Sequence, residues 1–172
     1  IPRTDITFKF GGYVKLDYIQ DFNPIGSPYY FDVSKIPLDG SVGEQATLNA
    51  RESRLHLDVK KKTSVGMVNS YIEGDFYGDN GAFRLRHAYI DINDKIRAGQ
   101  YWSNFMDVDI IPKTLDFEKP GAYAFIRHAL VRYKGKLSEN SYLSVAIEQG
   151  SANGQKPAEA GNFESPVPDV TL

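Results

Sequence analysis

The sequence predicts an all-β fold, an antiparallel up-and-down transmembrane β-barrel of which residues 1–172 form the N-terminal part. Three observations predict it. Apolar residues recur at every second position in run after run, the period of a strand with one polar and one apolar face. No stretch approaches the roughly 20 consecutive apolar residues of a membrane helix, and mean hydropathy is −0.39, as expected where each strand hides an apolar face behind a polar one. The connections between runs are long at one end of the sheet and short at the other, like the loops and turns of outer-membrane barrels.

The first run sets Phe8, Phe10, Gly12, Val14, Leu16 and Tyr18 on one face, with Lys9, Gly11, Tyr13, Lys15 and Asp17 on the other. In the second, Leu55, Leu57 and Val59 oppose Arg54, His56 and Asp58. In the third, Val68, Ser70, Ile72 and Phe76 oppose Asn69, Tyr71, Glu73 and Asp75. The fourth, 83–92, puts Arg84 and Arg86 in the parity of Ile90 and Ile92, so it needs a bulge or an end outside the membrane. The fifth covers 96–101. In the sixth, 123–133, Arg127 and Arg132 have opposite parity, and Arg132 is placed at a rim. The seventh sets Leu143, Val145 and Ile147 against Tyr142, Ser144 and Glu148.

Long connections follow the first, fifth and seventh of these seven strands, over 23–49, 104–122 and 150–172. The others are tight: Lys60-Lys61-Lys62-Thr63, Gly78-Asp79-Asn80-Gly81, Asn93-Asp94 and Gly135 to Asn140. In a meander the odd connections share one end of the sheet, so the long ones segregate there. A soluble meander has no strong reason to do this. Seven strands cannot close an even-numbered barrel, and the segment after Gly150 offers no eighth, so a fragment of a larger barrel is expected.

Composition narrows function by exclusion. Without cysteine there is no disulfide scaffold and no thiol nucleophile. Twenty basic and 22 acidic residues make no bulk field for nucleic acid. No Ser–His–Asp set, phosphate loop or paired carboxylates stand out. His56, His87 and His128 lie on three strands with faces that disagree, so no metal site is expected. No export signal is visible at Ile1-Pro2-Arg3, so if the protein is exported that segment is expected to have been removed or to lie outside these residues.

The segment from Asn104 to Ala122 is too apolar for a solvent loop, yet carries Asp107, Asp109, Asp116 and Glu118. A loop of this kind folds against something, and in a wide barrel that surface is the inner wall. Facing it, Arg54, Arg84, Arg86 and Arg127 fall on inward positions in the loop-side half of their strands. Acidic loop against basic wall gives a transverse field that selects by charge. The plainer reading pairs these arginines with Glu52, Asp58, Glu73 and Asp75. Aromatics near strand ends (Tyr18, Phe22, Phe76, Tyr77, Tyr101, Trp102, Tyr133) suit interfacial girdles.

Six segments in order resemble the DcaP-like porin family: GGYVKLDY from Gly11, ARESRLHL from Ala50, YIEGDFYG from Tyr71, FRLRHAYI from Phe83, AGQYWSNFMDVD from Ala98 and TLDFEKPG from Thr114. The resemblance implies a trimeric, sixteen-stranded porin of the bacterial outer membrane with a constricting loop after the fifth strand. It also implies an arginine-lined lumen that prefers anions such as dicarboxylates. The expected function is therefore passive diffusion of small anionic solutes by a homotrimer embedded in outer-membrane lipid, with no cofactor, no metal, no catalysis and no nucleic acid. The rival readings are an outer-membrane enzyme, a soluble β-sheet binding protein, and a surface adhesin barrel without a channel.

Overall fold

The computed structural model describes residues 5–23, 25–29, 31, 33–41, 43–112, 114–115, 126–150 and 167–172. Among the described residues ten strands form two antiparallel sheets, and the only helical turns are the two 3-10 turns Val33–Lys35 and Asp79–Gly81. The main sheet has eight strands: β1 (Ile6–Tyr13), β4 (Arg54–Thr63), β5 (Gly66–Asp75), β6 (Arg84–Ile92), β7 (Ile96–Trp102), β8 (Arg127–Lys136), β9 (Tyr142–Glu148) and β10 (Asp169–Thr171), adjacent in that order. The second sheet pairs β2 (Asp17–Asp21) with β3 (Gln45–Asn49). β1 and β10 stand at opposite edges of the main sheet, so the molecule is a curtain of barrel wall and not a closed barrel.

Its two faces are inverted relative to a water-soluble sheet. Phe8 is 68% exposed and Phe10 73%, and Leu57, Ile72, Ile90, Val131 and Ile147 share that face and are exposed too. On the other face Asp75 is 0% exposed and Glu148 2%, and they are the largest fully buried side chains among the described residues. In water each strand would bury the wrong half. In a bilayer the apolar half meets lipid and the polar half turns to the lumen. The chain is therefore part of a transmembrane barrel wall.

The structure revises several boundaries. The first strand ends at Tyr13, where Gly12 takes φ +147° and an added Cβ would lie 2.0 Å from the Arg54 carbonyl oxygen. The alternation through Tyr18 continues instead into the β2–β3 hairpin, which lies partly within the expected loop 23–49. Lys60, Lys61 and Lys62 belong to β4, and the turn is Ser64-Val65, because Thr63 still pairs with Gly66. Asn93 and Asp94 both take φ 55°, the left-handed conformation of a type I′ turn, and Lys95 N donates to Ile92 O at 3.0 Å. An eighth main-sheet strand exists after all: Asp169, Val170 and Thr171 pair with Glu148, Ile147 and Ala146. It is only three residues long, below what alternation can register.

The parity conflict in β6 resolves as a bulge. Glu73 pairs with His87 but Gly74 with Leu85, so Arg86 is the extra residue. The bulge turns Arg84, Arg86 and His87 to the polar side while Ile90 keeps its place on the apolar side.

Candidate functional site

Arg54, Arg84 and Arg127 are each the first residue of their strand, and Arg86 lies one turn of pleat further on. All four therefore sit at the end of the wall that carries the long connections 14–53 and 103–126 and the short one 76–83. Asp75, the last residue of β5, is the hub for Arg84 and Arg86. Arg84 Nε and Nη2 donate to its Oδ1 and Oδ2 at 2.9 and 2.7 Å, a bidentate pair. Arg86 Nη1 donates to the same Oδ2 at 2.7 Å, and its Nε to Glu73 Oε1 at 3.0 Å.

The other two are held less tightly. Arg54 approaches Glu73 at 3.9 Å and Glu52 at 4.0 Å, and its Nε is buried with no hydrogen-bond partner. Arg127 has its guanidinium 4.7 Å over the Trp102 ring, which Arg86 also approaches at 5.9 Å. Among the described residues no carboxylate lies within ion-pair distance of Arg127. Lys15, outside the membrane span, pairs with Glu52 and Asp17. Burial pulls its pKa down, but those two carboxylates more than offset this and hold it above the ordinary lysine value. The patch thus combines five cations (Lys15, Arg54, Arg84, Arg86, Arg127) with four anions (Asp17, Glu52, Glu73, Asp75).

The segment after β7 is anchored at both described ends. Asn104 N donates to Glu148 Oε1 at 2.6 Å, its Nδ2 donates to Ser144 O at 3.1 Å, and Ser144 Oγ donates to Asn104 Oδ1 at 2.6 Å. Met106 follows, buried, and the other buried apolar residues among those described are Leu130 and Ala146 on the polar face of β8 and β9. Further on, Lys15 Nζ donates to Leu115 O at 2.6 Å. Lys15 follows β1 and Leu115 follows β7, four strand spacings apart in the sheet, or roughly 19 Å at ~4.8 Å each. The segment therefore starts against β9 and reaches across to the β1 edge. Asp107 and Asp109 on it are exposed, and among the described residues neither pairs with any of the four arginines. Asp116 and Glu118 lie outside the described residues.

These features have a counterpart among known proteins. The sequence matches the DcaP outer membrane protein family over residues 1–171. The chain belongs to that family. Its place is the bacterial outer membrane. The crystal structure of the outer membrane channel DcaP of Acinetobacter baumannii superposes with a TM-score of 0.72 at 31% sequence identity. The match covers 86% of this chain and 42% of that channel, so the chain spans less than half of the channel's length. No curated protein sequence matches it.

Within this member of the DcaP family, sequence reasoning misplaced some polar-face residues. Arg132 is not at a rim: it pairs with Arg97 on the polar face in mid-strand, and Arg127 holds the strand end. The three histidines agree in face, since His56 pairs across from Glu73, Glu73 from His87, and His128 from Tyr101. They stand on alternate strands, and among the described residues no three metal-ligating side chains converge. Tyr101 is not a girdle residue, because it lies on the polar face with its ring 4.9 Å from His87, whereas Trp102 keeps the parity of Ile96 and Ala98 at the strand end, its ring 5.4 Å from His87. A row of rings was missed altogether. His56, Tyr71, Tyr89 and Tyr101 cross four strands with successive centroids 5.6, 5.3 and 5.1 Å apart. The signal that could have found it is the recurrence of ring residues at inward positions of consecutive strands.

Proposed function

We propose that the full-length protein is an outer-membrane diffusion porin that passes small anionic solutes, dicarboxylates among them. Arg54, Arg84, Arg86 and Arg127 line the constriction, and the loop 104–122 folds inward and narrows it. Asp107, Asp109, Asp116 and Glu118 line the loop side of the opening. The observation that carries this reading is the guanidinium excess at the loop-side strand ends, where Arg127, in the parity of Ala129 and Val131, lays its guanidinium over the Trp102 indole beside Arg86 instead of on a carboxylate. A cation placed this way stays available to a passing anion. The hydrogen bond from Lys15 to Leu115 supports the inward course of the loop, since a loop standing away from the wall would not reach that edge.

The family resemblance and the continuous apolar outer face support a homotrimer set in outer-membrane lipid. No step of chemistry is assigned to the wall, and no cofactor is required for diffusion. The test is single-channel recording of the full-length protein with Arg54→Gln and Arg127→Gln variants. Open-channel conductance with a reduced anion preference in the variants is the expected result. A well-folded protein that conducts nothing would overturn the channel reading.

A further inference from the structure

Gln100 breaks the apolar series on the outer side of β7. It stands in the parity of Ile96 and Ala98, the side that faces lipid, and its cross-strand partner on β6 is Ala88. A primary amide at a lipid-facing position is costly unless its donors are taken up, because hydrocarbon offers no water to bond them. Here backbone takes them up. Gln100 Nε2 donates to the Arg86 carbonyl at 3.0 Å and to the Leu85 carbonyl at 3.4 Å.

Those two carbonyls belong to the bulge. Among the described residues the β6–β7 register stops at Ala88↔Gln100, whereas β5–β6 runs on to Asp75↔Arg84 and β7–β8 to Trp102↔Arg127. A side chain therefore fastens the bulge to β7 where the ladder ends. The other flank is shaped for the same bulge. Gly74 pairs with Leu85, and an added Cβ there would lie 2.8 Å from the Arg84 carbonyl oxygen and 2.2 Å from the Phe83 ring. Without a bulge, alternation would carry Arg84 and Arg86 to the side of Ala88 and Ile90, toward lipid and away from Asp75 and Glu73.

We propose that Gln100 is a positioning residue of the arginine wall: its amide caps the bulge from the lipid side and holds Arg84 and Arg86 toward the lumen. The effect on selectivity rests on the porin reading, but the cap itself does not. A glutamine that merely stabilises the sheet is the alternative the test separates.

The test uses Gln100→Met in the full-length protein, which keeps the length of the side chain and removes its donors. The anion-to-cation permeability ratio from reversal potentials is expected to fall about two- to threefold, the effect of withdrawing one partly cancelled charge from the pore. In an Arg84→Gln/Arg86→Gln background the same substitution should change nothing further, since residues that act through one another are not additive. Hydrogen exchange of the amides of residues 84–87 in detergent should quicken about tenfold, the loss of one hydrogen bond that water cannot replace. If Gln100→Met does not fold, Gln100→Asn, too short to reach both carbonyls, takes its place. An unchanged ratio, whatever the melting temperature, overturns the proposal, and so does an equal fall with and without the two arginines. Faster exchange at 84–87 in a folded protein that conducts nothing would keep the cap and overturn the porin.

Discussion

A carboxylate with no exposed surface sets what each arginine can offer a solute. Asp75 neutralises Arg84 and shares Arg86 with Glu73, so these two act mainly on the wall itself. Arg54 and Arg127 are the ones whose field is least cancelled locally. A unit charge acting at about 5 Å in water-like dielectric is worth about 0.8 kcal/mol, roughly fourfold in local anion concentration before salt screening. Arg127→Gln should therefore lower the anion-to-cation permeability ratio by up to about fourfold, and Arg84→Gln by less, as bi-ionic reversal potentials would show. Equal losses from both would mean that Asp75 does not partition the charge as described. Asp75→Asn tests the hub from the other side. It leaves two guanidiniums short of their partner, so unfolding in detergent should become easier by about 1–3 kcal/mol. Anion preference should rise in the same variant, because one negative charge has left the wall.

At the scale of elements the loop after β7 and the strands beneath it are one device. Glu148 receives the Asn104 amide and the Thr171 hydroxyl, so a single side chain ties loop, β9 and β10 together. Glu148→Ala should release that tie, raise single-channel conductance and make the loop a faster site of limited proteolysis. Unchanged conductance together with unchanged cleavage would remove the loop from the constriction. The strands were legible because one face had to be apolar, which writes a period of two into the sequence from Phe8 to Phe10 and from Leu143 to Ile147. Turn positions were less legible. Lys60, Lys61 and Lys62 look like turn residues because they are charged, yet at a strand end in a barrel their charge sits beyond the hydrocarbon and pairing continues. The bulge at Arg86 was legible only as a conflict of parity. Which way it resolved needed the Glu73–His87 register. Arg132 was misplaced for a similar reason, since alternation fixes relative faces but not which member of a pair lies at mid-height. The ring row depends on the stagger between four strands, and no single strand carries that information.

For the whole molecule, the exposed face is a sheet of Phe, Leu, Ile and Val, and the concealed one holds carboxylates and guanidiniums. Among the described residues both edges of the main sheet, β1 and β10, have a strand neighbour on one side only. Such a wall has no stable state as a lone piece in water. Residues 1–172 expressed alone should aggregate without detergent, whereas the full-length protein should fold in detergent micelles. A soluble, cooperatively folding fragment would contradict the inverted arrangement of faces. The measurement that tests the central claim most directly is the reversal potential of the full-length protein in a planar bilayer under a salt gradient. The arginine-lined wall requires step-like conductance reversing on the anion side. Conductance reversing on the cation side would contradict that account of the wall.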